Sequence, residues 1–154
     1  MCREQKIKSV LYNLAQTSDC KFKHAAAVVR GSKILSTGVN NGNRTKWGNN
    51  ISICLHAEMD ALRLFLSNNR NRTGFDKYNK LCMWVICITN EKMIDSFGLF
   101  KKSDPCSECY ANLNKYGFGK IAYTDSNGDI NIVKLKDYYT EYRSNAQKRH
   151  NNYK

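Results

Sequence analysis

The sequence lacks the long apolar run of a membrane-spanning helix, because no stretch approaches the roughly 18 to 20 residues that a span requires. Its first ten residues carry Arg3, Glu4, Lys6 and Lys8, a pattern unlike that of a secretory signal. Acidic residues are also scarce, 13 against 25 Lys and Arg, which gives a net charge of +12. We therefore expect a cytoplasmic protein without a membrane partner that attracts an anion such as a nucleotide phosphate or nucleic acid.

The cysteine count argues against a disulfide framework. Seven cysteines, an odd number at irregular spacing, favour free thiols or a metal site. The 154 residues suffice for one domain with a sizeable core but not for two ordinary domains. We therefore expect a single domain over residues 1–154, with its core over about 4–149 and a basic, frayed tail over about 150–154.

Hydrophobic periodicity predicts helices alternating with strands. The predicted elements are a helix over about 4–17, strands over 25–30 and 33–39, a helix over about 55–67, a buried strand over 81–89, a helix after Pro105, strands over 120–123 and 130–135, and a last helix over about 137–149. Ser103 or Asp104 is the expected cap of the helix that follows Pro105, and Gly117 its expected end. The polar segments 40–50 and 68–79 are predicted loops. This order predicts a three-layer α/β domain with a mixed sheet.

The chemistry lies at two predicted helix starts, His56-Ala57-Glu58 and Pro105-Cys106-Ser107-Glu108-Cys109. Cysteines three apart on a helix share one face, so Cys106 and Cys109 can bind one ion, and helix N-terminal N–H groups favour their thiolate forms. Two thiolates and the imidazole of His56 form a good zinc ligand set. Three protein ligands leave a fourth position for water, which distinguishes a catalytic zinc site from a closed structural one.

Glu58 follows His56 by two residues, so it need not bind the ion but can reach a water beside it and carry protons. Zinc lowers the pKa of such a water to about 7. This combination fits the hydrolytic removal of an amine from an amidine-like carbon. In that reaction the carboxylate moves a proton first to the ring nitrogen and then to departing ammonia.

The two motifs together form the H-x-E and P-C-x-x-C signature of zinc deaminases. The sequence resembles the cytidine and deoxycytidylate deaminase superfamily from the hairpin near His24 to the strand at Tyr123. The resemblance implies an α/β/α cytidine-deaminase-like domain with a mixed five-stranded sheet, one catalytic Zn²⁺ and a homo-oligomer. It implies deamination of the cytosine of a free nucleoside or nucleotide, of the cytidine or dCMP type, to uracil and ammonia. The implied site residues are the catalytic Glu58 and the metal ligands His56, Cys106 and Cys109.

The resemblance also indicates substrate contacts. Gly38-Val39-Asn40 lies where the family commonly has Gly-x-Asn, whose Asn contacts sugar or base, so Asn40 is a candidate together with Ala57. Further candidates are Ala26, Arg44 and Lys46, of which Arg44 or Lys46 could contact a substrate phosphate.

Several features depart from close relatives. Residues 90–104 separate the buried strand from the Pro-Cys pair, which many relatives place directly after the strand, so we expect a rebuilt pocket wall. The loop after Gly38 lacks the proline-containing pattern of bacterial-type deoxycytidylate deaminases, and no additional Cys and His set for their second metal is present. The Thr-Leu-Glu-Pro-Cys version typical of tRNA adenosine deaminases is also absent.

Two alternatives remain open. The same chemistry could act on a base in RNA or single-stranded DNA, with Trp47, Tyr138 and Tyr139 stacking on neighbouring bases, although nucleic acid is the less favoured partner. The chain could instead be a non-catalytic, zinc-stabilised interaction module if Cys54 closed the fourth coordination position. His24 is expected to be a packed or exposed residue at the start of the hairpin, with a position facing the pocket as the alternative.

Overall fold

Helices and strands alternate along the chain in the computed structural model. The structure describes residues 2–42, 46–47, 50–51, 55–69, 75–89 and 100–140, of which 46–47, 50–51 and 75–77 are described by their backbone alone. In chain order the elements are α1 (Arg3–Ala15), β1 (Lys23–Arg30), β2 (Lys33–Val39), β3 (Lys46–Trp47), β4 (Asn50–Ile51), α2 (Ala57–Asn68), a 3₁₀ helix (Phe75–Lys80), β5 (Leu81–Ile88), β6 (Phe100–Lys101), α3 (Ser107–Tyr116), β7 (Lys120–Thr124), β8 (Ile130–Lys134) and a second 3₁₀ helix (Leu135–Asp137). Among these helices, none is long and apolar enough to cross a membrane.

One mixed sheet is built around β5, with the strand order β2-β1-β5-β7-β8. β1 pairs antiparallel with β5 along its whole length, whereas β7 pairs with β5 in parallel. The β1–β2 and β7–β8 pairs are antiparallel. Because β1 occupies one edge of β5, the short strand β6 shares the other edge with β7 and pairs antiparallel with the C-terminal end of β5.

Alternation of side chains along the strands directs the two faces of the sheet to different helices. The cluster on the α1 face includes Ile7, Leu11, Ala15, Ala25, Ala27, Val29, Trp84 and Ile86. The cluster on the face of α2 and α3 includes Ala26, Val28, Leu62, Phe65, Met83, Val85, Cys109, Leu113 and Ile121. The predicted three-layer α/β/α architecture is therefore confirmed.

Within the described residues the sheet has six strands rather than the five expected. The additional strand is β6, which lies within the inserted segment 90–104. A strand of two residues is too short to show the alternation of apolar and polar residues from which strands are predicted. Two further short strands, β3 and β4, pair with each other inside the predicted loop 40–50, and the first 3₁₀ helix begins inside the predicted loop 68–79. Residues 138–140 of the predicted last helix are not helical, and residues 141–149 lie outside the described part of the chain.

The start of α3 differs from the prediction by a few residues. Its N-cap is Cys106 rather than Ser103 or Asp104, and Pro105 lies before the helix instead of in its first turn. Ser103 is unavailable as a cap because its hydroxyl bonds to the carbonyl of Val85 in the central strand and to the hydroxyl of Thr124. The predicted helix end is confirmed, since Gly117 adopts the left-handed conformation with φ 79°.

Gly38 lets β2 lie directly against the first turns of α2. A Cβ atom at this position would lie 2.6 Å from the carbonyl oxygen of Ala57, 2.8 Å from the carbonyl carbon of Asp60 and closer still to the amide nitrogen of Ala61. On the same strand, the hydroxyl of Ser36 donates to the carbonyl oxygen of Ala61 at 2.8 Å. β2 and α2 are therefore in direct contact, and no space remains between them for a side chain at position 38.

We predict that Gly38→Ala lowers the free energy of unfolding by about 1–3 kcal/mol, because the added methyl group meets backbone that cannot rotate away. Urea denaturation followed by circular dichroism measures this loss. Gly42→Ala is the matched control, since a Cβ at Gly42 meets nothing within 4 Å, and it should change stability by less than about 0.5 kcal/mol. Equal effects of the two substitutions would contradict the close packing of β2 on α2.

Candidate metal centre

The two motif-bearing helices begin side by side. His56 is the N-cap of α2 and Cys106 is the N-cap of α3, and both have extended backbone, with φ −73° and ψ 151° at His56 and φ −73° and ψ 169° at Cys106. Neither cap side chain bonds to its own helix. The two side chains instead turn toward each other, which brings together residues separated by fifty positions in the sequence.

His56, Cys106 and Cys109 form one cluster of donor atoms. Nδ1 of His56 lies 3.2 Å from Sγ of Cys109 and 3.5 Å from Sγ of Cys106, and the three atoms lie within 4.8 Å of one another. A tetrahedral zinc ion bonded to nitrogen and sulfur at its usual distances separates such donors by about 3.6 Å. Two soft sulfurs and one imidazole at this spacing therefore fit a zinc ion.

The two thiols of the cluster do not ionise alike. The hydrogen bond from Cys109 lowers the pKa of Cys106 to about 4, and a further hydrogen bond from His56 acts in the same direction. The same Cys106–Cys109 interaction raises the pKa of Cys109, and burial raises it further. The pair thus keeps one proton at neutral pH, and this proton must leave when both sulfurs bind a metal.

Glu58 is a buried carboxyl in the first turn of α2, with 5% of its surface exposed. Burial raises the pKa of Glu58 to about 7, the charge of His56 opposes this shift, and the charge of Cys106 adds to it. A carboxyl with a pKa near 7 exchanges protons readily at neutral pH. Beside the cluster, this group can therefore both accept and donate a proton.

A buried polar network anchors the chain that enters α3. The hydroxyl of Ser103 donates to the carbonyl oxygen of Val85 at 2.8 Å and lies 2.7 Å from the hydroxyl of Thr124. The backbone amide of Ser103 donates to the carbonyl oxygen of Thr124, and the amide of Thr124 donates back to the Ser103 hydroxyl, both at 2.9 Å. The segment before Cys106 is thus tied to β5 at Val85 and to the end of β7 at Thr124.

Tyr138 holds the same segment from its other side. Its hydroxyl donates to the carbonyl oxygen of Pro105 at 2.6 Å, one residue before Cys106. Its ring packs between Tyr110 and Tyr123, with centroid distances of 5.6 Å and 6.0 Å. The residues just after β8 therefore contribute directly to the position of a candidate metal ligand.

Comparison with known proteins identifies the family. Residues 1–125 match the family described as the cytidine and deoxycytidylate deaminase zinc-binding region. The chain belongs to this family. No match was found among the curated proteins.

Solved structures show the same fold. The cytidine deaminase from Burkholderia pseudomallei is similar over 89% of this chain and 95% of its own, with 19% sequence identity and a TM-score of 0.57. The apo dCMP deaminase from the cyanophage S-TIM5 is similar over 82% of this chain and 86% of its own, with 22% identity and a TM-score of 0.52. The same enzyme in complex with dCMP and dUMP is similar over 82% and 85%, with 22% identity and a TM-score of 0.51. The cytidine-deaminase-like fold is therefore confirmed, and the zinc-binding family region together with the His/Cys/Cys cluster indicates zinc.

The residues predicted to contact substrate differ in their location and exposure in this fold. Asn40 lies at the end of β2, and its amide bonds to Ser18, His24 and Phe22. Ala26 and Ala57 are fully buried in the core between the sheet and the helices and present no surface to a ligand in this structure. The remaining candidates, Arg44 and the side chain of Lys46, lie outside the described residues, as does Cys54.

Sequence reasoning missed two contributors near the cluster. The backbone pairing places His24 opposite Cys87, and the charges of His56 and Cys106 act on the His24 ring. His24 is half-buried and contacts Phe22 and Asn40 at the start of the hairpin, which agrees with the favoured expectation of a packed residue, and the strand register places it on the same sheet face as Ala26. Tyr138 was considered as a base-stacking residue, but it is 9% exposed and bonded to Pro105. Only strand register and the path of the chain after β8 could reveal these placements.

We predict that Tyr138→Phe destabilises the protein by about 1–3 kcal/mol, because the buried carbonyl of Pro105 loses its donor while the ring packing is retained. Chemical denaturation of the two proteins gives the difference. Tyr12→Phe serves as control, since Tyr12 also packs against an aromatic ring but its hydroxyl has no hydrogen bond to any described residue. An unchanged unfolding midpoint in Tyr138→Phe would refute the anchoring role of its hydroxyl.

Proposed function

We propose that the chain is a zinc-dependent hydrolase that deaminates the cytosine of a free nucleoside or nucleotide, giving uracil and ammonia. The observation that carries the proposal is the meeting of His56, Cys106 and Cys109 beside the buried carboxyl of Glu58, in a chain of the cytidine and deoxycytidylate deaminase family. The substrate class is supported by two similar structures, a cytidine deaminase and a dCMP deaminase that was solved with dCMP and dUMP.

In this proposal, Nδ1 of His56 and the sulfurs of Cys106 and Cys109 hold one Zn²⁺. The ion supplies a Lewis acid that makes water a nucleophile near neutral pH. His56 is half-buried whereas both cysteines are buried, so the cluster is reached from the imidazole side. Within the described part of the chain the cluster has three donors, and a three-donor set leaves room for a reacting molecule, as in catalytic sites.

Glu58 carries the protons of the reaction. Its carboxylate takes a proton from the attacking water and delivers a proton to N3 of the cytosine ring. The water oxygen bonds to C4, and Glu58 then takes the remaining proton of this new hydroxyl and transfers it to the amino nitrogen as the bond from that nitrogen to C4 breaks. The oxygen of the water becomes O4 of uracil and the amine leaves as ammonia, so the sum is cytosine plus water giving uracil plus ammonia. The raised pKa of Glu58, about 7, suits a group that must both accept and donate.

A free substrate is favoured over a base within a nucleic acid. Of the three aromatic residues considered for base stacking, Tyr138 is buried and bonded to Pro105 and cannot stack on a nucleotide. Tyr139 is 77% exposed, and the side chain of Trp47 lies outside the described residues. Of the three candidates, the described residues thus leave one exposed ring, which by itself does not form the series of stacking platforms typical of single-strand binding.

The experiment that tests the proposal measures ammonia release by the zinc-loaded protein from cytidine, deoxycytidine, CMP, dCMP, guanine and a tRNA anticodon stem. We expect turnover of at least one of the four free cytosine compounds. Glu58→Gln should retain one zinc per chain but lose about 10²- to 10⁴-fold in turnover, because the ligands remain while the proton carrier is absent.

Glu4→Gln provides the matched control, since Glu4 is an exposed carboxylate in the first turn of α1 on the opposite face of the sheet. Its turnover and zinc content should match those of the unmodified protein. Turnover of the anticodon stem alone would contradict the free substrate, and full activity of Glu58→Gln would contradict the proton carrier. Absence of any turnover from a fully zinc-loaded protein would contradict the proposal as a whole.

A further inference from the structure

Three side chains form a row across adjacent strands at the end of β5. In the strand register, Cys87 of β5 lies opposite His24 of β1 on one side and opposite Lys101 of β6 on the other. Neighbouring strands lie about 4.8 Å apart. His24 and Lys101 therefore stand one strand away from Cys87 in opposite directions. We call these three residues the cross-strand row.

The cross-strand row lies on the face of the sheet that carries the candidate metal centre. Directly paired residues of antiparallel strands place their side chains on the same face. Ile88 and its partner Phe100 pack on the α1 face, so the next pair, Cys87 and Lys101, lies on the opposite face. His24 shares this face with Ala26 of β1, which packs with α2 and α3.

The charges of the reacting groups act on the cross-strand row, which lies on their side of the sheet. Burial raises the pKa of the Cys87 thiol to about 12, with a further upward contribution from Glu58 and an opposing one from Lys101. Burial lowers the pKa of His24, the carbonyl of Phe22 opposes this shift, and the charge of His56 adds to it. A substrate whose base reaches Glu58 therefore has the cross-strand row as a neighbouring wall.

The Asn40 amide orients the imidazole of His24. Oδ1 of Asn40 accepts from the Ser18 hydroxyl at 2.6 Å and from the backbone amide of His24 at 2.9 Å. Nδ2 of Asn40 donates to the carbonyl oxygen of Phe22 at 2.7 Å and lies 3.4 Å from Nδ1 of His24. The Asn40 amide is thus occupied within the protein. Nδ1 of His24 also lies 3.3 Å from the carbonyl oxygen of Phe22, and because a carbonyl can only accept, Nδ1–H is the donor. Nε2 of His24 makes no hydrogen bond to any described residue.

A second polar group next to the row lacks a partner. Thr89 follows β5 two residues after Cys87, so continued alternation places its side chain on the same face. The residue is 8% exposed, and its hydroxyl makes no hydrogen bond to a described residue. A buried hydroxyl without a partner is unfavourable unless a ligand or water satisfies it.

We propose that His24, Thr89 and Lys101 bind the phosphate of a nucleotide substrate, and that Asn40 is the positioning residue that orients His24. This inference rests on the proposed function and narrows its substrate from nucleoside or nucleotide to a 5′-monophosphate. Lys101 supplies positive charge and the hydroxyl of Thr89 supplies a hydrogen-bond donor. His24 binds as the imidazolium, in which Nδ1–H donates to Phe22 and Nε2–H donates to a phosphate oxygen, and the anionic phosphate favours this charged form. Lys101 belongs to β6, so the inserted segment 90–104 contributes one side of this phosphate site.

Equilibrium binding of reaction products tests the proposal without depending on turnover. The probes are uridine, 2′-deoxyuridine and their 5′-monophosphates, titrated calorimetrically into the zinc-loaded protein. We expect the preferred monophosphate to bind at least about tenfold more tightly than its nucleoside. His24→Ala and Lys101→Ala should each weaken monophosphate binding by about tenfold and leave nucleoside binding within twofold.

Lys33→Ala is the charge-matched control for Lys101→Ala, because Lys33 is exposed and lies at the other end of the β1–β2 hairpin from His24. It should leave both affinities unchanged. His24→Gln, which keeps a polar side chain of similar length, provides a second variant if His24→Ala does not fold, and it should reduce the monophosphate preference in the same direction.

The positioning role of Asn40 has its own readout. Asn40→Ala should lower the monophosphate preference as His24→Ala does. Without phosphate, the ¹⁵N chemical shifts of His24 should report the tautomer protonated at Nδ1 in the unmodified protein and a mixture of tautomers in Asn40→Ala. An unmodified protein with the tautomer protonated at Nε2, or unchanged His24 shifts in Asn40→Ala, would overturn this assignment.

The outcomes separate this inference from the proposed function. Equal affinity of the unmodified protein for nucleoside and monophosphate overturns the phosphate site. An equal loss of both affinities in His24→Ala also overturns it, since the contact would then be with sugar or base. If monophosphate selectivity depends on His24 and Lys101 while no cytosine compound is deaminated, the phosphate site stands and the proposed reaction fails.

Discussion

The structure depends on the meeting of two helix starts at one end of the sheet. The imidazole of His56 and the sulfurs of Cys106 and Cys109 come within 4.8 Å of one another only because α2 and α3 begin beside each other on the same face. Unpaired N–H groups at both helix starts favour anionic ligands there. This arrangement explains why one thiol of the cluster ionises readily and why a buried carboxyl, Glu58, lies next to it.

Packing around this point holds the two helix starts in place. Gly38 brings β2 into backbone contact with the first turns of α2, so the position of His56 follows from the sheet. The start of α3 is held by Ser103 and Thr124 on one side and by Tyr138 on the other. These contacts hold the start of α3 in place although residues 90–104 separate Cys106 from the central strand. The insertion in turn places Lys101 beside the end of β5.

Much of the fold could be predicted because its signals are local. The apolar run of β5 and the periodic face of α2 identified a buried strand and a helix, and the spacing within each motif placed His56 and Cys106 at helix starts. Strand β6 could not be predicted, since two residues carry no periodicity. The orientation of His24 depends on the register between β1 and β5, and the contact of Tyr138 depends on the path of the chain after β8; neither is encoded in nearby residues. Asn40 was predicted as a substrate contact from its motif. Its hydrogen bonds to Ser18, Phe22 and His24 depend on tertiary structure and could not be predicted.

The most direct test of the central claim is X-ray absorption at the zinc K edge of the zinc-loaded protein. If His56, Cys106 and Cys109 hold the ion and leave one position for water, the spectrum should show two sulfur neighbours at about 2.3 Å and two nitrogen or oxygen neighbours at about 2.0–2.1 Å. One of the lighter neighbours should show the multiple scattering of an imidazole ring. Three or four sulfur neighbours would contradict the account, because the ion would then be closed by further cysteines.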